Sequence, residues 1–213
     1  MRCTLRVLGI DPGSRFCGFG VVEDLGGARI AHVAHGVLLL DERLPMEQRL
    51  SLLYDGLRAE LLRHRPGVVA IEDVFHSQNV RSALVLGQAR GIALLVAAQA
   101  GAEVRSFPPA TVKQAVTGSG RAEKGQVGRM VQTLLGIRVE GRADASDALA
   151  VALCGALRVP AALVAVGADP ARQTSAGLLA KLLSEARGAK GKGPGGGFGG
   201  QAGRTAKGGR STR

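Results

Sequence analysis

Cysteine is scarce in this chain: Cys3, Cys17 and Cys154 are three among 213 residues, far apart and without C-x-x-C spacing. Neither a disulfide framework nor a zinc site is indicated, and reduced, semi-buried thiols are expected. No apolar stretch approaches the roughly 18 residues of a membrane helix, and Met1 to Leu8 is too short and too charged for a signal peptide, so a soluble, cytoplasmic protein is expected. Internal repeats are absent. Gly118, Gly120 and Lys124 lack P-loop spacing, and Gly18-Phe19-Gly20 is not a dinucleotide fingerprint.

What is present is enough apolar material for one good core, 46% of the residues, and an excess of positive charge, +11 overall. The charge is uneven: Lys181 to Arg213 carries eight Lys/Arg and one Glu, a net +7, which leaves +4 for residues 1–180. An anionic partner, most often nucleic acid, fits that balance, although a solvated basic tail would supply much of it. Residues 1–158 read as the folded domain, 159–187 as an extension with a short amphipathic helix, and 188–213 as a disordered Gly/Lys/Arg-rich tail. That tail could add salt-sensitive DNA affinity or do nothing.

Leu5 to Ile10 is an apolar run that ends at Asp11-Pro12-Gly13, so it reads as a buried strand with a carboxylate at its tip. Cys17 to Val22 reads as an antiparallel return strand whose glycines would let another backbone or a phosphate come close. Ala28 to Leu40 is a third strand. Pro45 opens a helix to about Arg65, with Leu50, Leu53, Leu57 and Leu61 on one stripe. Val68 to Ile71 is a fourth strand running into Glu72, so a second carboxylate sits at a strand end. Asn79 to Gln99 reads as a long helix with Ala83, Gly87 and Gly91 in one small-residue row, facing either a second subunit or the protein's own sheet. Glu103 to Phe107 is the fifth strand, helices follow at Thr111 to Val116 and Glu123 to Leu135, and Ala143 to Leu157 is the last of the core. The order predicts a mixed five-stranded α/β sheet with helices on its faces, and three strands before any helix argue against a Rossmann fold. His32 and His35, an odd number apart on a strand, should face opposite ways.

Asp144 and Asp147 lie three apart at the start of a helix and share a face, so they can enter one site with Asp11 and Glu72. Acids also open turns and favour helix N-termini, which is the alternative for each taken alone. Four clustered carboxylates raise one another's pKa values unless a cation is bound, and hard oxygen donors suit Mg²⁺ or Mn²⁺. Two such ions, roughly 3.5 to 4 Å apart, would activate water for attack on phosphorus without a side-chain nucleophile.

Ile10-Asp11-Pro12-Gly13-Ser14, Ala70 to Phe75, Gly87-Gln88-Ala89-Arg90-Gly91, Val112-Lys113-Gln114, Ala122-Glu123-Lys124 and Ala143 to Ala150 together resemble the RuvC family of bacterial Holliday-junction resolvases, in the family's order and spacing. The resemblance implies a ribonuclease-H-like fold, a homodimer, two Mg²⁺ ions per site with Mn²⁺ able to substitute, and paired symmetric nicks in four-way junction DNA. It also implies work beside a branch-migration motor of the RuvA and RuvB type. Asp11, Glu72, Asp144 and Asp147 fall on the family's metal-binding acids, Phe75 on an aromatic that packs against junction bases, and Lys113 and Lys124 on lysines beside the scissile phosphate. Arg81, Arg90, Arg121 and Arg129 are softer candidates for DNA backbone contacts.

Read without the resemblance, the acids specify metal-dependent phosphodiester cleavage and not the substrate's shape. A ribonuclease-H-like nuclease acting on RNA or linear DNA, or a junction-binding scaffold without catalysis, stays open on that reading. The Asp-x-Gly-Ser turn also resembles the phosphate loop of actin-like ATPases and sugar kinases, but those need a duplicated domain and this chain holds one copy.

Overall fold

The computed structural model describes residues 4–13, 15–27, 29–73 and 80–159. Phe75 and His76, and both segments expected after residue 159, lie outside them. Five strands and five helices follow in the order β1 (Leu5–Asp11), β2 (Phe16–Asp24), β3 (Ile30–Leu39), α1 (Met46–His64), β4 (Val68–Glu72), α2 (Val80–Gln99), β5 (Glu103–Phe107), α3 (Pro109–Thr117), α4 (Lys124–Leu135) and α5 (Ala143–Arg158). One sheet holds them in the order β3-β2-β1-β4-β5, antiparallel from β1 through β3 and parallel from β1 through β5.

Both faces of the sheet are covered, and the alternation of the central strands shows how. Leu5 and Val7 of β1 and Val68 and Ala70 of β4 point to one side, where they meet α3, α4 and α5. Leu8, Ile10, Val69 and Ile71 point to the other, against α1 and α2. These strands are buried on both sides, so they read as continuous apolar runs.

The helix α5 is the centre of the first layer. Ala148 to Ala156 are all buried, and the alanines and glycine among them are small enough to let the helix lie close to the sheet. The strand glycines receive it. A Cβ at Gly9 would strike the Ala148 carbonyl and the Ala152 backbone, and one at Gly18 would strike the Asp144 carbonyl. Close approach was expected of the β2 glycines, and the approaching backbone is that of α5.

Helix ends follow local chemistry. Arg65 closes α1 in the left-handed region at φ 46°, just before Pro66. At the start of α4, Glu123 and Gln126 form a reciprocal capping box, and Gly136 ends that helix at φ 63°.

Two expectations need correction. His32 and His35 do not face opposite ways: β3 bulges opposite Val21 and Val22, so His32 pairs with Val22 and His35 with Gly20. The extra residue restores a common face, and His32 Nε2 lies 2.8 Å from His35 Nδ1. Cys17 and Cys154 are free thiols, and they are fully buried rather than half-buried. Helix α2 is long and apolar enough, by length and composition, to cross a membrane, with a mean hydropathy of 1.4, but Arg81 and Arg90 interrupt it. It packs Ala89, Ala93, Val96 and Ala97 into the second core layer.

The small-residue row of α2 faces away from the sheet. Ala83, Gly87 and Gly91 are exposed, and a Cβ on either glycine would meet nothing within 4 Å. Val80 and Leu84, exposed at 85% and 64%, extend the same uncovered flank.

Candidate active site

Strand parity brings the first two acids together. Ile10 of β1 pairs with Ile71 of β4 in parallel register, and Asp11 and Glu72 are the next residue on each strand. By alternation both carboxylates point to the α5 side of the sheet, at the carboxyl end of the parallel strands. Seating α5 on Gly9 and Gly18 then sets its first turns, with Asp144 and Asp147, above the same strand ends.

The electrostatics report the convergence. Burial pushes the Asp11 carboxyl up to about 7, helped by repulsion from Glu72 and Asp147 and, more weakly, from Asp144. Burial and the charge of Asp147 also raise Glu72, which lies within hydrogen-bonding reach of Asp11. Thus the other three sequence-derived acids all act on Asp11.

Two cations answer this charge. Lys124 Nζ lies 2.6 Å from Asp147 Oδ2, and that contact raises the lysine's own pKa. Lys113, half-buried on α3, offsets part of the charge on Glu72. Both expected lysines therefore stand at the acids. A third cation had no signal in spacing: Arg142, just before α5, donates from Nε to Asp144 Oδ2 at 3.1 Å and lies over the Phe16 ring.

Arg90 takes a different place. Its guanidinium bonds Asp73 Oδ1 at 2.6 Å and Ser106 Oγ at 2.7 Å, tying α2 to the residue after β4 and to β5. The arginine expected at the DNA backbone is thus partly buried in an intramolecular pair. Arg81 and Arg129 are exposed on α2 and α4, and Arg121 is exposed in the turn before α4.

The donor set fits a hard divalent cation. It is all carboxylate oxygen, and Asp11 and Glu72 are raised first by burial and then by the charges of neighbouring acids, both of which a bound cation would offset. Among the described residues, no three acids, histidines or cysteines close into a ready ligand cluster. Lys124 and Arg142 instead each hold one carboxylate oxygen, Oδ2 of Asp147 and Oδ2 of Asp144.

The model of the family described as "Crossover junction endodeoxyribonuclease RuvC" matches residues 7–155. A protein of that name from Myxococcus xanthus is 53% identical over 185 residues, 85% of this chain and 96% of the relative. That alignment is longer than the folded domain of residues 1–158 and so takes in part of the extension. The Trichlorobacter lovleyi protein of the same name is 49% identical over 150 residues, 70% of this chain and 84% of the relative. Among solved structures, Thermus thermophilus RuvC in complex with a Holliday junction substrate superposes with a TM-score of 0.68 at 34% identity, covering 72% of this chain and 93% of that one.

Proposed function

This chain belongs to the RuvC family of crossover junction endodeoxyribonucleases, and we propose from that premise that it cuts two opposed strands of a four-way DNA junction using Asp11, Glu72, Asp144 and Asp147 as ligands for two Mg²⁺ ions. The observation that carries this reading is the convergence on Asp11, raised by its burial and then by the charges of Glu72, Asp147 and Asp144. Nucleases of the family are metal-dependent, and the choice of Mg²⁺, with Mn²⁺ able to substitute, rests on the all-oxygen donor set.

The residues divide the work. Asp11 and Glu72, fixed by the central strands, form the rigid half of the cradle; Asp144 and Asp147, on the buried α5, close it. Bound divalent cations supply activation of the attacking water and neutralisation of charge at the leaving oxygen. Lys124 and Lys113 are placed to donate to the phosphate oxygens as charge builds in the transition state. Helix α5 and the sheet keep bulk water from one side, which strengthens each of these interactions.

Phe75, three residues beyond Glu72, is assigned to the opened junction bases, and Arg90 anchors Asp73, two residues before it. Arg81 and Arg121 are assigned to the DNA backbone. The uncovered flank of α2 is the proposed homodimer interface, since a two-fold enzyme sets two identical sites on a substrate with approximate two-fold symmetry. Action beside a RuvA and RuvB type motor in the cytoplasm completes the reading, with residues 1–158 as the nuclease domain.

The test compares Mg²⁺-dependent cutting of a labelled four-way junction with that of a linear duplex of identical arm sequence, with Asp11→Asn as control. Paired symmetric nicks in the junction alone are expected. Equal cutting of the duplex would overturn the substrate assignment, and tight junction binding without cutting in Mg²⁺ or Mn²⁺ would overturn catalysis.

A further inference from the structure

Arg142 makes two contacts at once. Its guanidinium carbon lies 3.1 Å from the centroid of the Phe16 ring, and its Nε donates to Asp144 Oδ2 at 3.1 Å. Phe16 opens β2, and by strand parity its ring points to the same side of the sheet as Gly18, the residue on which α5 rests. A guanidinium is planar and weakly hydrated, so an aromatic face seats it and leaves its N–H edge free to donate in the ring plane. The ring thus fixes the direction from which Arg142 reaches Asp144. Lys124 reaches Asp147 from α4 on a flexible stem, without a platform.

A guanidinium bonded to a carboxylate oxygen and a divalent cation on that carboxylate compete for the same lone pairs and the same negative charge. We propose that Arg142, seated on Phe16, is a positioning residue that serves as the resident counter-cation of Asp144 and must be displaced before metal fills the site. The proposal rests on Asp144 being a metal ligand. Its consequence is a threshold: the Asp144 half of the site loads only when the cation outcompetes Arg142, while the Asp11 and Glu72 half faces the lysine charges of Lys124 and Lys113. Arg142 is half-exposed at 49%, so it can leave the carboxylate without unpacking the core.

The test is calorimetric titration of the DNA-free protein with Mg²⁺ alone, on wild type, Arg142→Gln, Phe16→Leu, the double variant, Arg142→Lys and Asp144→Asn, with circular dichroism to verify folding. Arg142→Gln is expected to tighten Mg²⁺ binding by roughly two- to fivefold, the range of an exposed ion pair. Phe16→Leu leaves every charge in place, and it is expected to tighten binding in the same direction by releasing the guanidinium. The double variant should bind no more tightly than Arg142→Gln, and Arg142→Lys should fall between wild type and Arg142→Gln. An unchanged affinity in Phe16→Leu, or additive effects in the double variant, would reduce Arg142 to a diffuse positive charge and overturn the proposal. Unchanged Mg²⁺ binding in Asp144→Asn would instead overturn the ligand assignment beneath it, whereas weakened binding there with no effect of Arg142→Gln would overturn the proposal alone.

Discussion

Lys124 Nζ and Asp147 Oδ2 stand 2.6 Å apart, joining the first residue of α4 to the second helical acid of α5. The contact holds a cation against an acid cluster whose most buried member, Asp11, is pushed up to about 7. One side chain therefore tempers the charge of the acid cluster and, on the proposed function, supplies a donor for substrate phosphate.

Lys124→Ala should slow single-turnover cleavage of a four-way junction by about 10²-fold or more, the usual cost of removing a donor aimed at developing negative charge. Junction affinity should change little, because one phosphate contact among many is lost. Quenched-flow cleavage and gel-shift binding separate the two effects. A wild-type rate would remove Lys124 from the chemistry.

Asp11→Asn should abolish cleavage and raise the stability of the metal-free protein at pH 8. The sign follows from linkage. The folded carboxyl titrates near 7 and the unfolded one near 3.8, so between those values the native state holds the extra proton and stability falls as pH rises. The wild type should lose on the order of a few kcal/mol across that window, and the variant should lose much less. Melting curves in chelator at pH 5 and pH 8 measure this, and Mg²⁺ at pH 8 should raise the wild-type midpoint more than the variant's.

Gly18→Ala should cost more in activity than its size suggests. The new methyl would meet the Asp144 carbonyl, and backbone cannot yield as a flexible side chain does, so the start of α5 must lift. A loss of about 1–3 kcal/mol in stability is expected, with cleavage lost almost entirely because Asp144 moves with the helix. Urea melts and cleavage on the same preparation test it; full activity would show that the site tolerates a displaced α5.

Leu84→Glu should give a folded monomer. Leu84 is 64% exposed on the uncovered flank of α2, so a charge there costs little in the single chain and much in an apolar subunit contact. Sedimentation equilibrium should report the change in mass. A variant that remains dimeric would exclude this flank as the interface.

Much of the site was legible in the sequence because its acids occupy positions that local rules mark. Asp11 and Glu72 each terminate an apolar run, and Asp144 and Asp147 share one face of a helix. Strand boundaries came through equally well where Pro and Gly punctuate them, and β5 is found at Glu103–Phe107 as expected. What escaped depends on register between distant segments. The seat of Arg142 on Phe16 requires α5 to lie across the start of β2, which no spacing within either segment encodes. The bulge that unites His32 and His35 is set by pairing with β2. Arg90 carried a family motif, yet its partners Asp73 and Ser106 come together only through the parallel pairing of β4 with β5.

Half of the acid cluster rides on α5, a helix that touches the sheet through its own backbone and is buried over most of its length. Its amide protons should accordingly exchange with solvent only when the whole domain opens, far more slowly than those of α2 with its bare flank. Heat should then extinguish catalysis and native structure at one midpoint, with no temperature range in which a folded protein has lost its site.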